Sequence, residues 1–463
     1  MPGNLTVGRP TRVIVLFTLP LLIGNLFQQF YQFTDAAVVG RMVGVDALAA
    51  VGSTGSLTFL LLGFTFGLAA GLAIPVARAF GAGDLPAMRR HVAIGVLVAA
   101  GVAVLLTGVG TLGARPLLEL MQTPPELLAD ATTFLMISCL GVPVVMAFNF
   151  LAAVIRALGD SRTPLVFLVI SCLLNAGLVV LFVGPLAMGV AGAAWATMLA
   201  QFVSVLLCVW LVVRRMPQLH LRRGDWTPLP GEIAESIGPG LTMGLQMSVI
   251  AIGAVILQAA VNDLGPDAVA AMTAAMRVDQ VAVAPLSSFG IALSTYVAQN
   301  RGAGQWARIR VGVFHTTVLT WVLALALGVV IIAFGEQIVG IFVGPGEKTV
   351  VELAHEYLLV QGLLYPILAT LFVLRNAIQG LGATAVPTVA GFMELALRAG
   401  AGLVLVAPLG FLGAALAAPL AWIGALLPVL PSWFLRRRAL LRQEAQEASA
   451  GAVEPVLPAL AQG

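Results

Sequence analysis

Long apolar runs alternate along this chain with short segments where arginines, acids, glycines and prolines collect. A helix needs roughly 20 apolar residues to cross a bilayer. The runs that reach this length predict twelve helices, at 13–39, 47–78, 91–113, 130–157, 163–183, 189–213, 232–261, 267–299, 311–334, 351–378, 386–407 and 411–435. They lack the ten-residue alternating segments of a membrane barrel, so a β-barrel is excluded. The fold class expected is an all-α integral membrane protein with twelve transmembrane helices. Several runs exceed the minimum length, which implies tilt or protrusion.

The connections differ by parity. Arginines gather at the N-terminus (Arg9, Arg12) and after the even-numbered spans, at Arg78, Arg89 and Arg90, at Arg156 and Arg162, at Arg214 and Arg215, at Arg301 and Arg308, at Arg375, and at Arg436 to Arg438. The opposite connections carry mainly acids, among them Asp46, Glu119, Glu126, Asp263 and Glu336. Basic residues mark the cytoplasmic side, so both termini are expected there. Arg375 is read in this scheme as a loop residue after the tenth span.

The chain also repeats itself. Pro20 matches Pro239, Gly81-Ala-Gly matches Gly302-Ala-Gly, and Pro143 matches Pro366. Ile155-Arg-Ala-Leu-Gly matches Ile378-Gln-Gly-Leu-Gly, and Gly189-Val-Ala-Gly-Ala-Ala matches Gly410-Phe-Leu-Gly-Ala-Ala. Six spans per copy is an even number, so the copies enter the membrane from the same side. That is a parallel repeat about the membrane normal. The expected organisation is a six-helix lobe at 1–215, a cytoplasmic linker at 216–230, a second six-helix lobe at 231–440 and a disordered or loosely membrane-associated cytoplasmic tail at 441–463.

Composition narrows the class further. The 463 residues are 60% hydrophobic and 10% charged, with mean hydropathy +1.01. A soluble protein could not cover its surface with so few charges. The pI near 9.0 reflects arginines spread over short loops, not a nucleic-acid surface. Cys139, Cys172 and Cys208 lie inside apolar runs and have no metal spacing. The glycines and alanines within the spans let helices approach closely. No nucleotide-binding, metalloprotease or serine-hydrolase motif is present, which argues against an ATP-driven pump or an enzyme. An ion gradient is the expected energy source, with no prosthetic cofactor and no metal.

The candidate chemistry lies in the first span. Asp35 is its one acid, and Gln32, Tyr31, Gln28 and Asn25 precede it at positions that share a helix face. A charge held inside a membrane is costly and is by default functional. Asp35 can take a proton, or hold sodium with carbonyls and amides. Pro20 removes a backbone donor and is expected to bend the helix. Farther on, Glu394 and Arg398 are spaced to pair on one helix face, and the repeat sets Arg398 opposite Asn175. Gln28, Tyr31, Gln32, Asn149, Gln246, Glu394 and Arg398 are the expected lining of a substrate cavity. Asp279 reads as a solvated residue near the outer surface.

The combination of Pro20, Asp35, Val39-Gly-Arg, Asp46-Ala-Leu-Ala-Ala-Val-Gly, Gln299-Asn-Arg-Gly-Ala-Gly and the two Gly-x-x-Gly-Ala-Ala segments resembles the MATE multidrug and toxic compound extrusion transporters over nearly the whole chain. The Gln28-Gln-Phe-Tyr stretch is nearest a bacterial DinF-like, NorM-related branch. The resemblance implies export of amphiphilic, often cationic, compounds in exchange for protons or sodium. It implies an ion or proton site at Asp35, with Asn175 beside it, and bending at Pro20. The chain departs from the family at two places: Val179 stands where DinF-type members carry a second acid, and Gln246 stands nearest the seventh-helix acid of NorM-type members. The expected partners are membrane lipids and small amphiphilic substrates, with no nucleic acid, for a monomer in the bacterial inner membrane. The nearest rival is a lipid-linked oligosaccharide flippase of the same broader superfamily, which would line its cavity with several arginines.

Overall fold

The computed structural model describes residues 4–340 and 347–451, without the side chains of Gln32, Phe33, Ala36, Val45 and residues 447–451. The described residues form helices joined by short turns. In chain order they are α1 (Pro10–Met42), α2 (Val45–Ser53), α3 (Gly55–Gly81), α4 (Leu85–Leu120), α5 (Pro125–Leu140), α6 (Val142–Ala157), α7 (Arg162–Val183) and α8 (Gly189–Arg215). After two 3₁₀ turns at Pro217–Leu219 and Arg223–Trp226 come α9 (Glu232–Asn262), α10 (Pro266–Gly302), α11 (Trp306–Gly340), α12 (Lys348–Gly380), α13 (Ala385–Leu409) and α14 (Phe411–Gly451). Eleven are long and apolar enough to cross a membrane, and the α5–α6 pair supplies a twelfth crossing.

Two expected spans are broken. The second divides at Thr54 into α2 and α3. There the hydroxyls of Ser53 and Thr54 donate to the carbonyls of Ala50 and Val51, both at 2.7 Å, and so compete with the helical ladder. The fourth bends by 43° between α5 and α6. Pro143 supplies no N–H at that point, and Gly141 just before it carries no side chain to resist the bend. The repeat partner Pro366 lies inside the continuous helix α12, where Leu364 occupies the glycine's place. The proline alone therefore does not break the helix. Helix α1 likewise runs unbroken through Pro20.

The tail differs from expectation as well. Helix α14 continues past Arg442 to Gly451, through residues of high helix propensity, and Glu444 pairs with Arg310 of α11 at 2.6 Å. Residues 452–463 of the expected tail lie outside the described residues.

Two six-helix bundles result, each with its own apolar core. One core joins α3, α4, α6 and the end of α8. The other joins α10, α11, α12 and α14, and it also takes in Leu5, Ile14 and Phe17 from the start of the chain. The bundles meet most closely where α3 crosses α9 and α10. A side chain at Gly67 or Gly71 would overlap the backbone of α9. A side chain at Gly81 would overlap the carbonyl of Gln299, and one at Gly302 the carbonyl of Arg78. The last two contacts are repeat mates, and they lie on the face of the bundle that carries the N-terminus. We call it the terminal face.

Hydrogen bonds between the bundles concentrate on that face. Arg90 grips Glu232 with Nε at 2.9 and 3.0 Å from the two carboxylate oxygens. Arg78 pairs with Glu235, and Arg89 pairs with Asp225 of the linker between the bundles at 3.0 Å. His91 Nδ1 lies 2.8 Å from the Ser236 hydroxyl. The buried Gln299 side chain donates to the carbonyl of Ala157 at 2.7 Å and accepts from the Leu5 amide at 3.0 Å. Farther in, the Asn25 amide of α1 donates to Ser288 of α10 at 2.9 Å.

Candidate functional site

Helix α1 carries Asp35 ten residues beyond Asn25, about 15 Å farther from the terminal face at 1.5 Å per residue. Its carboxylate turns into the first bundle, toward α7 and α8. The Thr197 hydroxyl donates to Oδ2 at 3.1 Å. The Asn175 amide is oriented by its neighbours: with its nitrogen toward Asp35 Oδ1 at 2.9 Å, its oxygen accepts from the Tyr31 hydroxyl at 3.2 Å. Asn175 is fully buried, which fixes this geometry. Arg41, exposed in the last turn of α1, makes no ion pair with Asp35. The acid is thus held by neutral donors. Around it the packing is apolar: Val179 is fully buried in a cluster with Val39, Val183 and Val190.

This arrangement offers a carboxylate, a hydroxyl and an amide within hydrogen-bonding reach of one another. That set can bind a proton, or a hard cation through oxygen ligands. Among the described residues there is no group of three or more His, Cys, Asp or Glu side chains able to hold a metal.

Asn25 and Gln28 of the stripe on α1 do not converge on Asp35. Asn25 faces the second bundle, as given above, and Gln28 is exposed and makes no hydrogen bond among the described residues. The side chain of Gln32 lies outside the described residues. Asn149, on α6, is half-buried and also makes no hydrogen bond among them.

A second polar cluster lies in the second bundle. Glu394 is 4% exposed and bridges two arginines. Arg398 reaches one carboxylate oxygen at 3.2 Å, and Arg375 reaches the other at 3.1 Å. Arg375 is not a loop residue. It is 2% exposed inside α12, with its guanidinium 5.6 Å from the Phe372 ring centre. The expected Glu394–Arg398 pair is therefore a triad with one net positive charge. Gly253 on α9 leaves space for the Arg398 stem. Nearby, Asp279 accepts from the Tyr365 hydroxyl at 2.8 Å, so it belongs to the bundle interior, not to the outer surface. Gln246 is buried and accepts from Gln379 at 3.0 Å.

Sequence reasoning missed Thr197, Arg375, Gln379 and Tyr365. A signal for Thr197 existed, because the repeat sets it opposite Ala418. A hydroxyl in one copy and a methyl in the other marks a position serving one bundle only. Arg375 was hidden by its distance from Gly380, five residues, which suited a loop-proximal arginine.

Comparison with known proteins follows from this geometry. The MatE family model matches residues 20–181 and again 243–404, the same unit twice at the spacing of the repeat. The chain belongs to the MatE family. Among curated relatives, the MatE chain is 29% identical to the probable multidrug resistance protein YpnP of Bacillus subtilis, over 82% of this chain and 84% of that one. It is 27% identical to the DNA damage-inducible protein F of Escherichia coli, over 75% of each. It is 23% identical to a protein of Shewanella oneidensis named FAD transporter, over 80% and 82%. Among solved structures, the outward-facing conformation of a multidrug resistance MATE family transporter superposes with a TM-score of 0.88 at 21% identity, covering 94% of this chain and 98% of that one. A MATE crystal structure in a bent conformation gives 0.88 over 95% and 98%.

Proposed function

We propose that this MatE protein is a secondary antiporter of the bacterial inner membrane that exports amphiphilic, often cationic, compounds in exchange for protons or sodium. Asp35 is the coupling residue, and Asn175, Thr197 and Tyr31 complete its site. The observation that carries this reading is the placement of one carboxylate among neutral donors, without a basic partner, inside an apolar bundle. An ionised Asp35 is expensive there, and a bound proton or sodium ion relieves the cost. Occupancy thus biases the bundle between two shapes, which an antiporter requires. Pro20 leaves the Leu16 carbonyl without its helical donor, so α1 can bend there at low cost.

The distribution of arginines supports a cytoplasmic terminal face. The inter-bundle contacts on that face then seal the cytoplasmic side, while the Asp35 site lies in the outer half. The captured state is an outward-facing one in this reading. The Gly81 and Gly302 contacts must separate for substrate to enter from the cytoplasm. Of the expected cavity lining, Gln28, Gln32, Asn149, Gln246, Glu394 and Arg398 stay assigned to the substrate path and Tyr31 passes to the Asp35 site, and a single copy of the chain suffices.

A flippase for pyrophosphate-linked sugars is not favoured. Arg375 and Arg398 are committed to Glu394 and do not form a free cationic row. The test is export by purified protein in proteoliposomes under separately imposed proton and sodium gradients. Export of an amphiphilic cation driven by one of the gradients supports the reading. Export indifferent to both overturns it.

A further inference from the structure

A cavity of about 610 Å3 lies on the terminal face of the first bundle, outside the site described above. Its floor is apolar, built from Phe17 of α1, Leu211 and Met216 at the end of α8, and Leu5 of the N-terminal segment. Its lip is polar and comes from the turn between α6 and α7 and from the last turn of α8. Arg162 and Arg215 stand on this lip. Both are exposed, and neither guanidinium has a hydrogen-bond or ion-pair partner among the described residues. This sets them apart from Arg78, Arg89 and Arg90 on the same face, which all hold acids.

One acid, Asp160, also lines the cavity, but its carboxylate is already committed. It accepts from the amides of Arg162 and Thr163, both at 3.0 Å, and from the Thr163 hydroxyl at 2.6 Å. It caps the start of α7 and is not paired with either guanidinium, so the lip keeps a net positive charge. On the membrane side, Leu16 is 45% exposed beside the cavity, on a helix that spans the bilayer. The cavity is therefore cationic at the level of the helix ends and apolar along the adjoining helix face.

We infer that this cavity binds the headgroup of an acidic phospholipid from the cytoplasmic leaflet. The phosphate lies between Arg162 and Arg215, and an acyl chain runs down α1 past Leu16. Two unpaired guanidinium groups match a phosphodiester in charge and in hydrogen-bonding geometry. A cationic drug would meet a net positive lip there, and a soluble anion would gain nothing from the apolar floor. One wall is Asn4 and Leu5, and the Leu5 amide and carbonyl are bonded to Gln299 and Asn300 of the second bundle. The lipid thus sits against a segment that ties the two bundles together, so its binding differs between states in which that tie is made or broken.

The test is native mass spectrometry of the full chain released from nanodiscs that hold equal amounts of phosphatidylglycerol and phosphatidylcholine. The expected result is one strongly retained phosphatidylglycerol per chain. The double variant R162Q/R215Q should weaken that retention by about 30-fold, taking each arginine at its usual worth near an anionic surface. R437Q/R438Q removes the same charge from the exposed end of α14 and should leave retention unchanged. Equal loss in the two variants would show bulk charge attraction and overturn the site. Displacement of the lipid by millimolar glycerol 3-phosphate alone would make it a soluble-anion site and overturn the lipid assignment. A photoactivatable phosphatidylglycerol on the unaltered protein gives a measurement independent of variant folding. Labelling concentrated on the peptide containing Val13 to Phe17 is expected, and labelling spread evenly over the helices contradicts the proposal.

Discussion

Replacing Glu394 should damage the protein more than replacing Arg398. The side chains of Glu394 and Arg375 are 5% and 2% exposed, and that of Arg398 is 13% exposed. Glu394→Gln leaves Arg375 charged, buried and without a carboxylate. Stranding one partner of a buried pair costs about 3–5 kcal/mol. Arg398→Gln leaves the Arg375–Glu394 bridge in place and removes one charge-assisted hydrogen bond, about 1.5 kcal/mol. The double variant Glu394→Gln with Arg398→Gln should not recover, because Arg375 is still stranded. Glu394→Gln with Arg375→Gln should recover much of the loss. A simple Glu394–Arg398 pair, as the helical spacing alone suggests, gives the opposite pattern, in which the double removal of 394 and 398 restores stability. The assay is thermal loss of monodispersity for purified variants in one detergent, with proteoliposome export measured on the same preparations. If Arg398→Gln proves at least as destabilising as Glu394→Gln, the triad does not hold the bundle as described.

Other consequences can be measured separately. Gly302→Val puts a side chain into the Arg78 carbonyl and should prevent closure of the terminal face; cross-linking of cysteines at 78 and 235 by a short bifunctional maleimide, in a background free of Cys139, Cys172 and Cys208, should slow sharply, and an unchanged rate would contradict the close approach. Thr197→Val removes a hydroxyl donor to Asp35 and should lower gradient-driven export roughly tenfold without loss of folding; wild-type export would remove Thr197 from the site. Pro20→Ala restores a backbone donor and should slow transport while ion binding persists, so loss of ion binding would argue against a purely mechanical role. Single cysteines at 90, 215 and 308 should resist labelling from outside intact cells, and clear labelling of any one would reverse the orientation.

The spans, the repeat and the acid in α1 were legible because each leaves a periodic or compositional trace. Hydropathy located the crossings, and Pro20 matching Pro239 revealed the duplication. What escaped was set partly by local side-chain choices and partly by contacts between distant segments. The break at Thr54 depends on hydroxyls turning back onto their own helix, and the bend before Pro143 depends on Gly141. Pro366, without a glycine before it, keeps its helix whole. Asn175 could be matched to Asp35 by resemblance, whereas the repeat marks Thr197 only as different from Ala418, and the packing of α8 decides that it meets Asp35. The amide stripe on α1 looked like one feature, yet Asn25 bonds to the second bundle while Asp35 turns into the first. Helical spacing shows which residues share a face, and the neighbouring helices decide what that face meets.

The most direct test of the central claim is the export of an amphiphilic cation by Asp35→Asn protein in proteoliposomes, with an imposed proton or sodium gradient and the membrane potential clamped at zero. Exchange of one monovalent cation for one ion moves no net charge, so the ion gradient alone drives it, and a tenfold gradient, about 1.4 kcal/mol, can concentrate substrate about tenfold. With Asp35 as the coupling residue, the variant should bind substrate and fold normally, yet carry it only down its gradient. Accumulation against the gradient at the wild-type rate would place the coupling site elsewhere in the protein.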